Sequence, residues 1–218
     1  MVLERFDAIV FDWDGTLLDS TAAIAGAIRG AAADLGLPDP GPERAAQVIG
    51  LGLMQALSIA VPELPAERAA EFSARYRFHY LAGERGLQLF PHARELLGEL
   101  RARGQRLAIA TGKTRAGLDR ALDSLGLAAQ FDACRCADES EAKPHPRMLL
   151  DLARMLRAEP ARMMMVGDTT HDLQMAAAAG AAAVAVTHGA HPADVLRQYG
   201  ALAVLDSLQE LQRWLIAA

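Results

Sequence analysis

Two aspartates stand at the end of the first apolar run of the chain. Asp12 directly follows the run at 8–11, and Asp14 and Gly15 come next. Two carboxylates this close repel each other unless a cation lies between them or one of them holds a proton. A tight turn at Gly15 could redirect the second carboxylate. The pattern favours a cation site or a general acid, although a D-x-D segment taken alone also fits a solvated turn.

A second acidic pair follows a later apolar run at 163–166. Asp168 comes soon after that run, and Asp172 lies one helical turn further on. The carboxyl ends of parallel strands face one edge of a sheet, so we expect this pair to converge with Asp12 and Asp14. Hard oxygen ligands in a site open to water suit Mg²⁺. The four aspartates therefore predict a magnesium site, in which Asp168 could also cap the following helix.

Two further segments could complete an anion site. Thr111 and Gly112 end the apolar run at 106–110, where a hydroxyl and the amides of a small-residue turn can donate to phosphate oxygens. Lys143 precedes Pro144 in an acidic stretch and could neutralise both the carboxylates and a phosphoryl group. Taken alone, a Lys among acids is usually a surface ion pair.

The elements that must position these groups alternate between short apolar runs and longer helical patterns. This alternation predicts an α/β fold with a doubly wound parallel sheet, whose continuous apolar strands are buried on both faces. The predicted strands are 8–11, 106–110, 163–166 and 182–186, with a weaker one at 202–205. The predicted helices lie at about 91–103, 114–125, 145–157, 170–179 and 207–216.

One long segment between the first two runs breaks this alternation. It has no convincing strand pattern and is punctuated by Pro and Gly, which predicts several short helices. We therefore expect an α/β core of residues 1–18 and 90–218 with an inserted all-helical cap at 19–89. An insertion after the first strand would stand over the crevice where such sheets bind ligands.

Composition excludes several classes of protein. The 218 residues carry 22 Lys and Arg against 27 Asp and Glu, and a net charge of −5 gives no broad cationic field for nucleic acid. The most apolar later stretch, 175–186, is shorter than the ~20 residues that span a bilayer. Cys134 and Cys136 are too few for a disulfide scaffold. With no predicted signal peptide, we expect a cytoplasmic protein, and both a monomer and a dimer remain open.

Four motifs, in chain order, resemble those of the haloacid dehalogenase (HAD) superfamily in its phosphatase branch. The resemblance covers the whole chain, and the helical insert resembles the small cap of the phosphoglycolate phosphatase-like group. The motifs are Asp12-x-Asp14-Gly15-Thr16, Thr111-Gly112, Lys143-Pro144 and Gly167-Asp168-x-x-x-Asp172.

The resemblance implies a Mg²⁺-dependent phosphatase that hydrolyses a small phosphorylated metabolite. Asp12 would attack phosphorus and form an aspartyl-phosphate. Asp14 would protonate the leaving alkoxide and then take a proton from the hydrolytic water. Thr111, Gly112 and Lys143 would hold the phosphoryl group. The implied Mg²⁺ ligands are Asp12, the backbone carbonyl of Asp14 and Asp168, with Asp172 as a ligand or an outer partner.

Two alternatives use the same fold. A sugar phosphomutase would need a second phosphate anchor, and the cap loop at 48–54 carries no charge. A non-catalytic scaffold should lack a nucleophile, an acid or a metal ligand, and none is missing. The uncharged loop also offers no cation for the carboxylate of phosphoglycolate. Cationic side chains elsewhere in the cap are candidates, although solvated helix faces suit each of them: Arg44, Arg75, Arg77 and His79.

Overall fold

Six strands form one parallel sheet in the computed structural model, which describes residues 2–216. The spatial order is β3-β2-β1-β4-β5-β6, which confirms the predicted doubly wound α/β architecture. The strands are β1 (Ala8–Phe11), β2 (Arg106–Thr111), β3 (Ala133–Cys136), β4 (Met163–Gly167), β5 (Ala182–Val186) and β6 (Val204–Leu205).

Ten α-helices accompany the sheet in the described part of the chain. None of them is both long enough and apolar enough to cross a membrane. Those between β1 and β2 are α1 (Thr21–Asp34), α2 (Gly41–Gln47), α3 (Leu53–Ala60), α4 (Ala69–Glu84) and α5 (Ala93–Ala102). The later ones are α6 (Arg115–Leu125), α7 (Arg147–Leu156), α8 (Thr170–Ala179), α9 (Ala193–Leu196) and α10 (Leu208–Ile216).

The central strand β1 is buried on both faces because its side chains alternate between two cores. Ile9 and Phe11 pack in a cluster with apolar residues of α5, α6 and α10. Ala8 and Val10 point to the opposite side and pack with α7 and α8. Every residue of β1 is fully buried, as the continuous apolar run predicts.

The edge strand β3 was not among the predicted strands. Its sequence is Ala-Cys-Arg-Cys, and the partly exposed Arg135 interrupts the apolar pattern. An edge strand needs less apolar sequence than a central one, so the rule for doubly buried strands misses it. Cys134 and Cys136 lie in this strand as free thiols.

Helices α1 to α4 pack around a hydrophobic cluster of their own, which includes Ile28, Leu57 and Phe72. The segments that lead into and out of these four helices lie side by side, and the Asp19 N–H of the first donates to the Gln88 carbonyl of the second at 2.9 Å. This packing supports the predicted division into a core (1–18 and 90–218) and a cap (19–89), which stays a prediction.

Candidate active site

Three of the four predicted aspartates converge at the carboxyl edge of the sheet. Asp12 follows β1, Asp168 follows β4, and Asp172 lies in the first turn of α8. One carboxylate oxygen from each lies within 4.8 Å of the others, and all three side chains are buried. They meet because β1 and β4 are neighbouring parallel strands that end at the same level.

Lys143 is the cation that joins this cluster. Its Nζ lies 2.7 Å from Asp12 Oδ1 and 2.7 Å from Asp172 Oδ1. Burial alone would lower the pKa of Lys143, but the two carboxylates outweigh burial and raise it, so the ammonium stays charged. One ammonium against three carboxylates leaves an excess of two negative charges when all are ionised.

The two oxygens of Asp12 have different environments. Oδ1 accepts a hydrogen bond from the Trp13 N–H at 2.6 Å and contacts Lys143. Oδ2 is buried, and no donor among residues 2–216 binds it. Burial raises the pKa of the Asp12 carboxyl well above its usual range, and Lys143 offsets only part of that effect. Oδ2 is therefore free to bind a cation or to attack an electrophile.

Asp168 is held in a tight cradle. Its Oδ1 accepts a hydrogen bond from Thr16 Oγ1 at 2.7 Å, and its Oδ2 accepts one from the Ala190 N–H at 2.8 Å. A Cβ at Gly15 or Gly189 would overlap the carboxylate, so both positions require glycine. Burial, helped by the Asp172 charge, raises the pKa of Asp168 to about 7. These contacts fix the direction of the carboxylate.

Asp172 is held by the start of its own helix and by an ion pair with Lys143. Oδ2 accepts hydrogen bonds from the Thr169 N–H at 3.1 Å and from Thr169 Oγ1 at 2.7 Å, and Oδ1 contacts Lys143. Thr169 and Asp172 thus form the capping box that begins α8. The residue that caps this helix is Thr169, one position after the predicted Asp168. Asp172 therefore both caps α8 and contacts Lys143 within the carboxylate cluster.

The carboxylate of Asp14 faces away from the other three. Gly15 adopts a φ of +82°, and the turn directs the Asp14 side chain toward the cap. Its Oδ1 accepts a hydrogen bond from Ser20 Oγ at 2.6 Å and lies 3.1 Å from Lys113 Nζ. The structure therefore separates the Asp14 side chain from the carboxylate cluster and places it beside Lys113.

Thr111 and Gly112 end β2 beside Asp12. Thr111 is buried, and its Oγ1 accepts a hydrogen bond from the Lys113 N–H at 3.1 Å, which leaves its own proton available to a ligand. Gly112 lies against the cap loop, close to the carbonyls of Gly50 and Leu51. The absent side chain lets the loop cover this edge of the site.

Gly112→Ala tests this close approach. The new Cβ would lie 2.5 Å from the Leu51 carbonyl oxygen and 2.7 Å from that of Gly50, so the loop must move away. We expect kcat/KM to fall about tenfold to a hundredfold, because a displacement of about 1 Å between the substrate and the catalytic groups lowers the rate by up to that factor. Gly98→Ala in α5 is the matched control, since its Cβ meets nothing within 4 Å. Wild-type kcat/KM in Gly112→Ala would mean that the loop does not close over the site.

A cavity of about 130 Å³ lies between the cap and this edge of the sheet. Apolar side chains of the cap line most of it, together with Asp14 and Lys113. Lys113 Nζ donates a hydrogen bond to Tyr80 Oη at 2.7 Å. Burial works to lower the pKa of Lys113, but the Asp14 carboxylate and the Tyr80 hydroxyl outweigh it and raise the pKa. The cavity thus contains a charged ammonium.

Two histidines form a second polar contact between the cap and the sheet. His171 Nε2 and His191 Nε2 each lie 3.1 Å from the Gln47 carbonyl oxygen at the end of α2. His191 Nδ1 also accepts a hydrogen bond from the Thr170 N–H at 3.1 Å, so Nε2 carries its proton. Both side chains therefore hold the cap over the site, and neither belongs to the carboxylate cluster.

Lys113 and Tyr80 are the site residues that the motif pattern did not predict. Lys113 follows Thr111 and Gly112 directly, so the sequence indicates that it lies near the site. A further signal was available, because the chain contains 20 Arg but only two Lys, and these are Lys113 and Lys143. Tyr80 gave no comparable signal, since its position depends on how α4 packs.

Comparison with known proteins places this fold and site in a family. A sequence model of the haloacid dehalogenase-like hydrolases matches residues 6–180. The probable phosphatase IndB of Dickeya dadantii is 37% identical over 209 residues, covering 93% of this chain and 90% of that protein. The phosphoglycolate phosphatase of Salmonella typhi is 32% identical over 232 residues, covering 96% and 92%.

A solved structure agrees with the sequence comparisons. The crystal structure of a predicted phosphoglycolate phosphatase from Haemophilus somnus matches with a TM-score of 0.86 and 26% identity, covering 96% of this chain and 98% of that one. The chain belongs to the haloacid dehalogenase-like hydrolases. Within that family it is a phosphatase, in agreement with the phosphatases among its relatives.

Proposed function

We propose that this phosphatase hydrolyses a small phosphomonoester with Mg²⁺, through an aspartyl-phosphate formed on Asp12. The observation that carries the proposal is the environment of Asp12. Its Oδ2 is buried without a hydrogen-bond donor, next to two further carboxylates and to Lys143. A buried oxygen left unsatisfied is costly, which indicates that a ligand completes this site.

The carboxylate cluster fits a magnesium ion. The excess of negative charge equals the charge of one divalent cation, and the donors are the hard oxygens that Mg²⁺ prefers. Asp12 and Asp168 would hold the ion, with the backbone carbonyl of Asp14, and Asp172 would orient Lys143. When bound, Mg²⁺ supplies positive charge that shields the attacking carboxylate from the phosphate oxygens.

The residues of the chain can carry out both half-reactions. Asp12 Oδ2 attacks phosphorus, and the electron pair of the breaking P–O bond leaves on the ester oxygen. Asp14 donates its proton to that oxygen, so an alcohol departs. Asp14, now a carboxylate, takes a proton from water, and the water oxygen attacks phosphorus. The bond between phosphorus and Asp12 Oδ2 breaks, its electron pair returns to the Asp12 carboxylate, and inorganic phosphate leaves.

The donors around the phosphoryl group stabilise the charge that both steps develop. The Thr111 hydroxyl, the Gly112 N–H and the Lys143 ammonium would bind the phosphoryl oxygens. Thr111 and Lys143 are fully buried, so each interaction acts in a medium of low dielectric constant. Such donors cost little reorganisation because their partners already fix them.

Hydrolysis is favoured over mutase chemistry by the cap loop. The segment at 48–54, a loop that leads into the first residues of α3, carries no charge, and its Gly50 and Leu51 carbonyls lie against Gly112. A mutase would need to anchor a second phosphate there. We propose a small phosphorylated metabolite in the cytoplasm as the substrate, in keeping with the phosphoglycolate phosphatases among the relatives.

Metal removal tests the magnesium site. Chelation by EDTA should abolish hydrolysis, and Mg²⁺ should restore it. At a hundredfold excess over Kd, binding adds about 2.7 kcal/mol to the free energy of unfolding, which raises Tm by roughly 5–10 °C. Asp168→Asn should lose this rise in Tm. An equal Mg²⁺-induced rise in wild type and in Asp168→Asn would place the metal elsewhere.

A further inference from the structure

The cavity above Asp14 contains one strongly buried cation among the described residues that line it. The Lys113 side chain is 10% exposed. Arg77 and Arg120 also border the cavity, but both are exposed, and Arg120 pairs with Glu84 at 3.4 Å. A leaving group inside the cavity therefore lies next to the Lys113 ammonium, whereas the two arginines stand at its exposed border.

The ammonium and its tyrosine partner have unused donors. Lys113 Nζ contacts Asp14 Oδ1 and donates to Tyr80 Oη, so one of its three N–H bonds remains. Because Tyr80 Oη accepts from Lys113, its own O–H is free to donate, and it has no acceptor among the residues described. Two neighbouring donors, one of them charged, match the two oxygens of a carboxylate.

The choice of lysine at this position is itself informative. Every other cation of the chain except Lys143 is an arginine. Lys143 and Lys113 are the two positions where a compact ammonium, rather than a planar guanidinium, lies against buried carboxylates. The cavity of about 130 Å³ is far below the ~300–1,000 Å³ that holds drug-sized ligands. The group next to Lys113 must be small.

The contact between Lys113 and Asp14 limits how far an anionic group bound to Lys113 can lie from the ester oxygen of the substrate. As the acid, Asp14 must approach the ester oxygen to about 3 Å. Lys113 Nζ is 3.1 Å from Asp14 Oδ1, so it lies within roughly 6 Å of the ester oxygen when Oδ1 donates the proton and within roughly 8 Å when Oδ2 does. A carboxylate on the carbon next to the ester carbon spans this gap.

From this geometry we infer that Lys113 and Tyr80 bind a carboxylate on the leaving group. The preferred substrates are then phosphate esters of short hydroxycarboxylic acids, with the carboxylate next to the ester carbon. The inference rests on the proposed function, because it uses Asp14 as the acid. It also supplies from the core the cation that the cap loop lacks. The cap side chains considered from sequence are less suited to this role: His79 pairs with Asp34 at 2.9 Å, Arg44 and Arg75 are exposed and do not line the cavity, and Arg77 borders the cavity but is exposed.

Two substrates of matched size test the inference. Phosphoglycolate and 2-hydroxyethyl phosphate share the phosphate and the two-carbon chain, and differ in whether the tail is a carboxylate or a neutral hydroxyl. Wild type should prefer phosphoglycolate in kcat/KM. Lys113→Met should reduce that preference about tenfold to a hundredfold, the range of a charge-assisted hydrogen bond. Tyr80→Phe should reduce it several-fold, with the ring retained.

Arg120→Met is the matched control. It removes one positive charge at the mouth of the cavity, from a side chain that is 51% exposed, and should leave the ratio between the two substrates unchanged. The ratio cancels any effect of Lys113 on Asp14, since both substrates need the same proton. Equal losses on both substrates in Lys113→Met would overturn the inference and show that Lys113 only positions Asp14.

Binding to an inactive protein provides a second readout. In an Asp12→Asn background, calorimetry should show phosphoglycolate binding more tightly than 2-hydroxyethyl phosphate, and adding Lys113→Met should remove the difference. Equal affinities in Asp12→Asn would also overturn the inference. Mg²⁺-dependent hydrolysis of both esters without a preference would do the same, while leaving the proposed function intact. Failure to hydrolyse either ester, or p-nitrophenyl phosphate, would instead contradict the proposed function.

Discussion

Asp12→Asn is expected to abolish turnover while leaving the fold intact. The amide is a poor nucleophile and removes one negative charge from the proposed metal site. Its oxygen can still accept the Trp13 N–H, and Lys143 keeps its contact with Asp172. We expect kcat below about a hundredth of the wild-type value, with an unchanged circular dichroism spectrum.

Asp119→Asn is the control for this substitution. Asp119 lies on α6, is 53% exposed and pairs with Arg115, so the same chemical change occurs far from the cluster. Its kcat should match wild type. A folded Asp12→Asn protein that keeps more than about a hundredth of the wild-type kcat would contradict nucleophilic attack by Asp12.

Asp14→Asn is expected to discriminate between leaving groups. An alkoxide needs a proton to depart, whereas p-nitrophenolate does not. General acid catalysis is typically worth ~10²–10⁴-fold, so kcat/KM for 2-hydroxyethyl phosphate should fall by about that factor. For p-nitrophenyl phosphate, kcat/KM should change much less, because this ratio reports the steps up to release of the leaving group.

Ser20→Ala provides a graded comparison for Asp14. Ser20 Oγ donates a hydrogen bond to Asp14 Oδ1 at 2.6 Å. The substitution removes this bond, so the Asp14 side chain is held less firmly but is still present. The discrimination between the two esters should change in the same direction and by less. Equal losses of kcat/KM on both esters in Asp14→Asn would exclude protonation of the leaving group by Asp14.

The central part of the fold is predictable because its strands are apolar without interruption. The run at 8–11 corresponds residue for residue to β1, and that at 182–186 to β5. The edge strands depart from this rule. β3 contains Arg135, and β6 comprises two residues where four were predicted. An edge strand has a neighbouring strand on one side only, and its outer side is open to solvent or to a loop, so its sequence need not be apolar throughout.

The carboxylate cluster is predictable because strand ends share an edge, which brings Asp12 and Asp168 together. The direction of Asp14 depends on the positive φ of Gly15, and the sequence only indicated that such a turn was possible. The pairing of Lys113 with Tyr80 joins residues 33 positions apart, across the cap and the core. No periodicity within one helix or strand encodes such a contact.

Isolation of the phosphorylated enzyme is the most direct test of covalent catalysis by Asp12. Asp14→Asn should accumulate it with p-nitrophenyl phosphate and Mg²⁺, because formation needs no acid with this leaving group, while hydrolysis lacks its base. Rapid acid quenching, proteolysis and mass spectrometry should find one phosphoryl group on the peptide that contains Asp12, labile to hydroxylamine. A burst of p-nitrophenol without a phosphorylated peptide, or with the group on another residue, would contradict covalent catalysis by Asp12.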